Sequence, residues 1–88
     1  MSTNEPILTI SVAGKLLNIH PRTLMLYERA ELFTPFRTST QRRMFSKKDL
    51  ELLQFIKFLT QQNGINLRGV KFIFEALALA EKIGRAHV

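Results

Sequence analysis

Residues 11–30 constrain this chain more than any other stretch, because they hold two short helical patterns with almost no room between them. Ser11 suits a helix N-cap, and Val12, Ala13, Leu16 and Leu17 follow it at helical spacing. Asn18 comes next, and asparagine tolerates the left-handed backbone that ends helices. His20-Pro21 then opens a second helix, with proline in the first turn where its missing N–H costs nothing, and the pattern runs to about residue 30. Two short helices joined by a turn of roughly three to four residues make a helix-turn-helix.

The rest of the chain reads as support for that unit. Residues 7–10 are apolar and rich in β-branched side chains, which predicts an edge strand. Pro35 ends helical options, and Phe36-Arg37-Thr38 and Arg43-Met44-Phe45 read as two strands of a hairpin, a wing within residues 33–45. Its turn, residues 39–42, lacks glycine, so the turn type is left open. Ser46 with Asp49 opens a third helix, whose apolar face is Leu50, Leu53, Ile56, Phe58 and Leu59, and Asn63-Gly64 stops it. Asn66 caps a fourth, with Leu67, Val70, Ile73, Phe74 and Leu77 at helical spacing. The expected fold is mostly α: a winged helix-turn-helix with a two-stranded β wing and a following helix pair over residues 46–81. Residues 74–80 are apolar on more than one face with no chain left to cover them, the mark of a missing partner.

With 88 residues there is room for one domain, and with no cysteine that domain depends on a packed core and suits a reducing cytosol. No apolar run reaches the ~20 residues that span a bilayer, and residues 1–6 lack the regions of a signal peptide. No nucleophile–base pair, phosphate-cradling glycine loop or paired carboxylate is visible, so an enzyme is not expected. His20 has no cysteine, histidine or carboxylate cluster around it, so neither a metal nor another cofactor is expected. The formal net charge is +6. By itself that fits either a solvated surface or a polyanion partner. Its distribution favours the polyanion: Arg22, Arg29, Arg37, Arg42, Arg43, Lys47 and Lys48 face only Glu28 and Glu31 between residues 22 and 48.

Arg22, Met25, Leu26 and Arg29 lie three and four residues apart on the second helix and share one face. Such a face fits the major groove, where arginine pairs with guanine and apolar atoms touch thymine methyls. Met25 and Leu26 also fit an ordinary core, whereas Leu24 reads as core alone. Ser11 and Thr23 carry hydroxyls near helix starts, where they either cap locally or meet phosphate. Tyr27 either reaches phosphate with its hydroxyl or packs, and His20 is a turn residue or a phosphate contact. Arg37, Arg42 and Arg43 stand close enough to repel one another unless an anion gathers them. Lys47 and Lys48, at a helix start that disfavours cations, make more sense beside DNA.

The order of these pieces resembles the MerR family of transcriptional regulators. The matching residues are Ile10-Ser-Val-Ala13, His20-Pro-Arg-Thr-Leu24 with Tyr27-Glu-Arg29, then Leu32, Pro35, Arg37-Thr38, Arg43, Phe45-Ser46 and Asp49-Leu50. Gly64-Ile-Asn-Leu67 with Val70-Lys71 looks like the HspR branch, repressors of chaperone genes. The resemblance covers about residues 7–77. It implies double-stranded DNA as partner, the second helix in the major groove, and phosphates gripped by the wing and the first helix. It further implies homodimers at inverted repeats, a DnaK-type chaperone as a second partner, and a place in the bacterial cytoplasm on the nucleoid. The DNA-binding set so implied is Ser11, His20, Arg22, Thr23, Met25, Tyr27, Arg37, Arg42 and Arg43.

Three residues depart from the family pattern: Met25 stands in place of a usual arginine, and Glu31 and Gln41 stand in place of usual glycines. Residues 82–88 are what AAG ATC GGA AGA GCA CAC GTC encodes, a sequencing-adapter sequence. They read as a non-native tail on a domain of residues 7–81, with the natural dimerisation helix lost. Two other functions fit the residues without the resemblance: a phage-type excisionase that bends DNA, and a protein-interaction module whose basic charge is incidental.

Overall fold

Thr9, not Ser11, starts the first helix. The computed structural model describes residues 4–86, and in it the Thr9 hydroxyl accepts the Val12 amide at 3.3 Å. Thr9 has an extended backbone because it belongs to strand β1 (Leu8–Thr9), so helix α1 (Ile10–Leu17) begins one residue later and takes Ser11 into its first turn. Asn18 ends α1 in the expected left-handed conformation, at φ 55°. The Ile19 amide then reaches back to the Gly14 carbonyl at 2.9 Å. A Cβ on Gly14 would lie 2.7 Å from the Ile19 carbonyl oxygen, so this close return of the chain depends on glycine. His20 caps helix α2 (Pro21–Arg29), its Nδ1 accepting the Arg22 amide at 3.0 Å.

The wing is a sheet of three strands where two were expected. Strands β2 (Phe36–Arg37) and β3 (Arg43–Phe45) form the expected hairpin, and β1 pairs antiparallel with the other edge of β3, Leu8 opposite Phe45 and Thr9 opposite Met44. The strand order β1-β3-β2 thus fastens the N-terminal segment to the wing. At the turn, Gln41 takes φ 67° and its amide donates to the Thr38 carbonyl, while Thr38 Oγ1 accepts the Arg42 amide at 3.1 Å. The turn is therefore built on a threonine hydroxyl and a left-handed glutamine.

Ser46 and Asp49 form a reciprocal capping box on helix α3 (Lys47–Lys57), each side chain accepting the other's amide. The helix then widens into a π turn, Phe58–Gln62. Thr60 Oγ1 donates to the Ile56 carbonyl, and Asn63 Nδ2 donates to the Phe58 carbonyl, satisfying backbone groups that the wider turn releases. Leu53, Ile56 and Leu59 face the core as expected, but Phe58 stays exposed, and its ring lies 6.5 Å from that of Phe55. Gly64, at φ 63°, turns the chain, and Asn66 Oδ1 accepts the Gly69 amide to start helix α4 (Leu67–Ala86).

One core joins these elements. Ala13, Leu17, Leu24, Tyr27, Phe45, Leu53, Ile56 and Val70 are buried together. Lys57 Nζ donates to the Leu17 carbonyl at 2.8 Å, a cation closing the end of α1 and tying the helix-turn-helix to α3. The second half of α4 leaves this body: every side chain from residue 75 to 84 is exposed, Leu77 and Leu79 among them at 57% and 58%. The radius of gyration, 14.3 Å, accordingly exceeds the roughly 12 Å of a compact domain this size. Within the described residues, the stretch read as a tail carries the α4 backbone on to Ala86, and residues 87–88 lie outside them.

Candidate nucleic-acid interface

Helix α2 turns Leu24 and Tyr27 into the core and the opposite face outward. That outer face carries Arg22, Leu26 and Arg29, all exposed, with Met25 half-buried beside them. Among the described residues neither Arg22 nor Arg29 takes part in an ion pair, so both guanidinium groups are available to an external anion or base edge.

Beside this face the wing is locked to α2 by one carboxylate. Glu28 accepts Arg37 Nη2 at 2.8 Å on one oxygen and Arg43 Nε at 2.7 Å on the other. Arg37 Nη1 also donates to the Gln41 carbonyl, which ties the same guanidinium to the wing turn. Burial raises the carboxyl of Glu28, but the hydrogen bonds and charges of Arg43 and Arg37 outweigh it and hold the group below its ordinary value. The anion that gathers the wing arginines is thus the protein's own. Arg42, at the wing tip, is exposed and outside this clamp.

The remaining expected site residues lie in four separate places. Ser11, Lys15, Asn18, His20 and Pro21 line an open cleft of about 390 Å³ at the helix-turn-helix corner. There Ser11 is exposed in the first turn of α1, where the free amides of a helix start point outward. His20 spends Nδ1 on the α2 cap, which leaves Nε2 to carry the proton of the neutral ring. Thr23 is half-buried on the flank of α2 next to the core. Tyr27 is brought to no surface: it is 3% exposed, and its hydroxyl lies 3.3 Å from Thr60 Oγ1. Of the two roles open to Tyr27, the structure places it in the packing one. Lys47 and Lys48 are exposed at the start of α3.

Glu28 and Gly14 are the residues that sequence reasoning passed over. Glu28 was countable as a lone acid among cations, but its partners lie nine and fifteen residues away and meet it only once the wing has folded. Among the described residues there is no group of three or more side chains that could hold a metal ion, and no helix is long and apolar enough to cross a membrane.

Residues 8–77 match the family model described as MerR HTH family regulatory protein. The chain is 43% identical over 75 residues to a Streptomyces coelicolor protein named as the heat shock protein HspR, covering 85% of this chain and 50% of that one. It is 36% identical over 68 residues to the Bacillus anthracis transcriptional regulator GlnR, covering 77% and 52%. In structure it is similar to HiNmlR, a MerR family regulator lacking the sensor domain and solved on promoter DNA, with a TM-score of 0.71 at 26% identity over 81% of this chain and 54% of that one. A MerR family regulator from Bacillus cereus shares the fold, with a TM-score of 0.66 at 23% identity over 90% and 72% of the two chains. The chain spans about half the length of the curated relatives it matches. By its sequence and its fold, this chain belongs to the MerR family of helix-turn-helix regulatory proteins.

Proposed function

We propose that this chain is the DNA-reading part of a transcriptional repressor of chaperone genes, acting on inverted repeats as a homodimer in the bacterial cytoplasm. The observation that carries the reading is the shared surface of α2 and the wing, where Arg22 and Arg29 stand unpaired beside a ribbon whose position Glu28 fixes. In this reading α2 enters the major groove, Arg22 and Arg29 address base edges or phosphates, and Arg42 meets the backbone from the wing tip. Ser11 and His20 hold a neighbouring phosphate at the helix-turn-helix corner, where both are exposed and line one open cleft. The arginines of the clamp keep free N–H groups, so Arg37 and Arg43 present a partly neutralised edge to the backbone.

Likeness to the Streptomyces coelicolor HspR supports chaperone genes as the target, and a DnaK-type chaperone as co-repressor belongs to the same proposal. Dimerisation is assigned to a segment following the domain, with the uncovered apolar side of α4 at its root. The family favours this regulator over an excisionase. The same exposed apolar residues are the one observation on the side of a protein-interaction module.

Selection of bound duplexes from random DNA, followed by gel shift of the enriched sequence at two salt concentrations, tests the reading. Enrichment of an inverted repeat with affinity that falls steeply with salt is expected. Tandem sites with strong bending would favour the excisionase, and no enriched sequence would favour the interaction module.

A further inference from the structure

Leu26 is left without a purpose by the fold. It is 45% exposed on α2, the helix whose other leucine, Leu24, is almost fully buried at 1%. It stands four residues after Arg22 and three before Arg29, so the three side chains form one patch, an apolar centre between two unpaired cations. The acid of the clamp, Glu28, lies two residues on and points to the wing, away from this patch. A surface of this kind matches a ligand that is anionic at its borders and apolar at its centre. Among base edges in the major groove, only thymine presents an apolar group, its 5-methyl.

We infer that Leu26 reads a thymine methyl in the major groove, between the contacts made by Arg22 and Arg29, and so sets sequence choice at one base pair. The assignment rests on the DNA-binding reading above and deepens it. The arginines supply attraction that most sequences satisfy in part. Leu26 adds a contact that only one base satisfies, and it costs the folded chain nothing, because its side chain takes no part in the core.

The test uses the full chain and a duplex that it enriches from random DNA. Each thymine of that duplex is replaced singly by deoxyuridine, which keeps every hydrogen-bonding group and removes only the methyl, and affinity is read by fluorescence anisotropy. One thymine in each half-site is expected to weaken binding by about fourfold when its methyl is removed, the worth of one buried methylene-sized group. With Leu26→Ala that difference disappears, whereas Met25→Ala, on the neighbouring position, retains it. Leu26→Met, which keeps an apolar side chain in reach, restores part of the difference. The inference is overturned if no thymine shows a methyl penalty, or if the penalty persists undiminished in Leu26→Ala. Failure to enrich any duplex is a separate result, and overturns the DNA-binding reading together with the inference.

Discussion

Replacing Glu28 by glutamine removes one charge and keeps the shape of the clamp, which makes it the sharpest probe of how the wing is held. The Arg43 bond, 2.7 Å long between side chains 27% and 22% exposed, is charge-assisted and partly shielded, worth about 1.5 kcal/mol. The Arg37 bond involves an arginine side chain 35% exposed, and solvent screening reduces it to about 0.5 kcal/mol. Glutamine keeps one accepting oxygen but turns an amide N–H₂ toward the second arginine, so Glu28→Gln should cost about 1–2 kcal/mol. In a domain this small that lowers Tm by about 5–15 °C. The pH dependence fixes the cause. The carboxyl is held below its ordinary value, so its contribution is fully present above the unfolded pKa and is lost as pH falls through the lower folded value. Thermal melts followed by circular dichroism should show a constant gap between parent and variant from neutral pH down to the ordinary glutamate range. Below that range the gap should close. A gap that is absent at neutral pH, or that survives at acid pH where both chains are neutral at this position, would refute the clamp as a charge interaction.

Three further substitutions test other parts of the account. Met25→Arg places a cation on the edge of the outer face of α2, and should tighten DNA binding and steepen the slope of log affinity against log salt by about 0.9 for one added phosphate contact; an unchanged slope would count against that placement. Glu31 sits at φ 61° and its ion pair to Lys71 is solvent-exposed, so Glu31→Gly should stabilise the chain by about 0.5–1 kcal/mol, read as a higher midpoint in urea. Gly14→Ala should destabilise by about 1–3 kcal/mol despite better helix propensity, because the new Cβ meets the Ile19 carbonyl oxygen at 2.7 Å. A neutral result there would mean that the corner of the helix-turn-helix relaxes freely.

Local signals in the sequence were reliable where a side chain speaks to its own backbone. Asn18 ending α1, Pro21 opening α2, the Ser46–Asp49 box and the Asn66 cap all act within a few residues, and each stands where the sequence put it. What the sequence hid depends on partners brought together by folding. Ser11 has the hydroxyl of a cap, but strand β1 stops at Thr9, so the helix begins at Ile10 and Thr9 takes the cap. The wing arginines read as waiting for phosphate because Glu28 lies on another element. Tyr27 could not be assigned until Thr60 arrived opposite its hydroxyl. Phe58 follows buried Ile56 by two residues, about 200° around the helix, and so lies off the core face. The two family glycine positions illustrate the opposite case: Glu31 and Gln41 keep left-handed backbones without glycine, so the fold imposes the conformation against local preference.

The central claim is that the outer face of α2 and the tip of the wing form one continuous surface for duplex DNA. Titrating ¹⁵N-labelled chain with an enriched duplex and following each backbone amide tests it directly. The account predicts that the largest shifts fall on Ser11, Arg22, Leu26, Arg29 and Arg42. Shifts confined to Phe72, Leu77 and Leu79 on α4, with the α2 and wing amides unmoved, would contradict it.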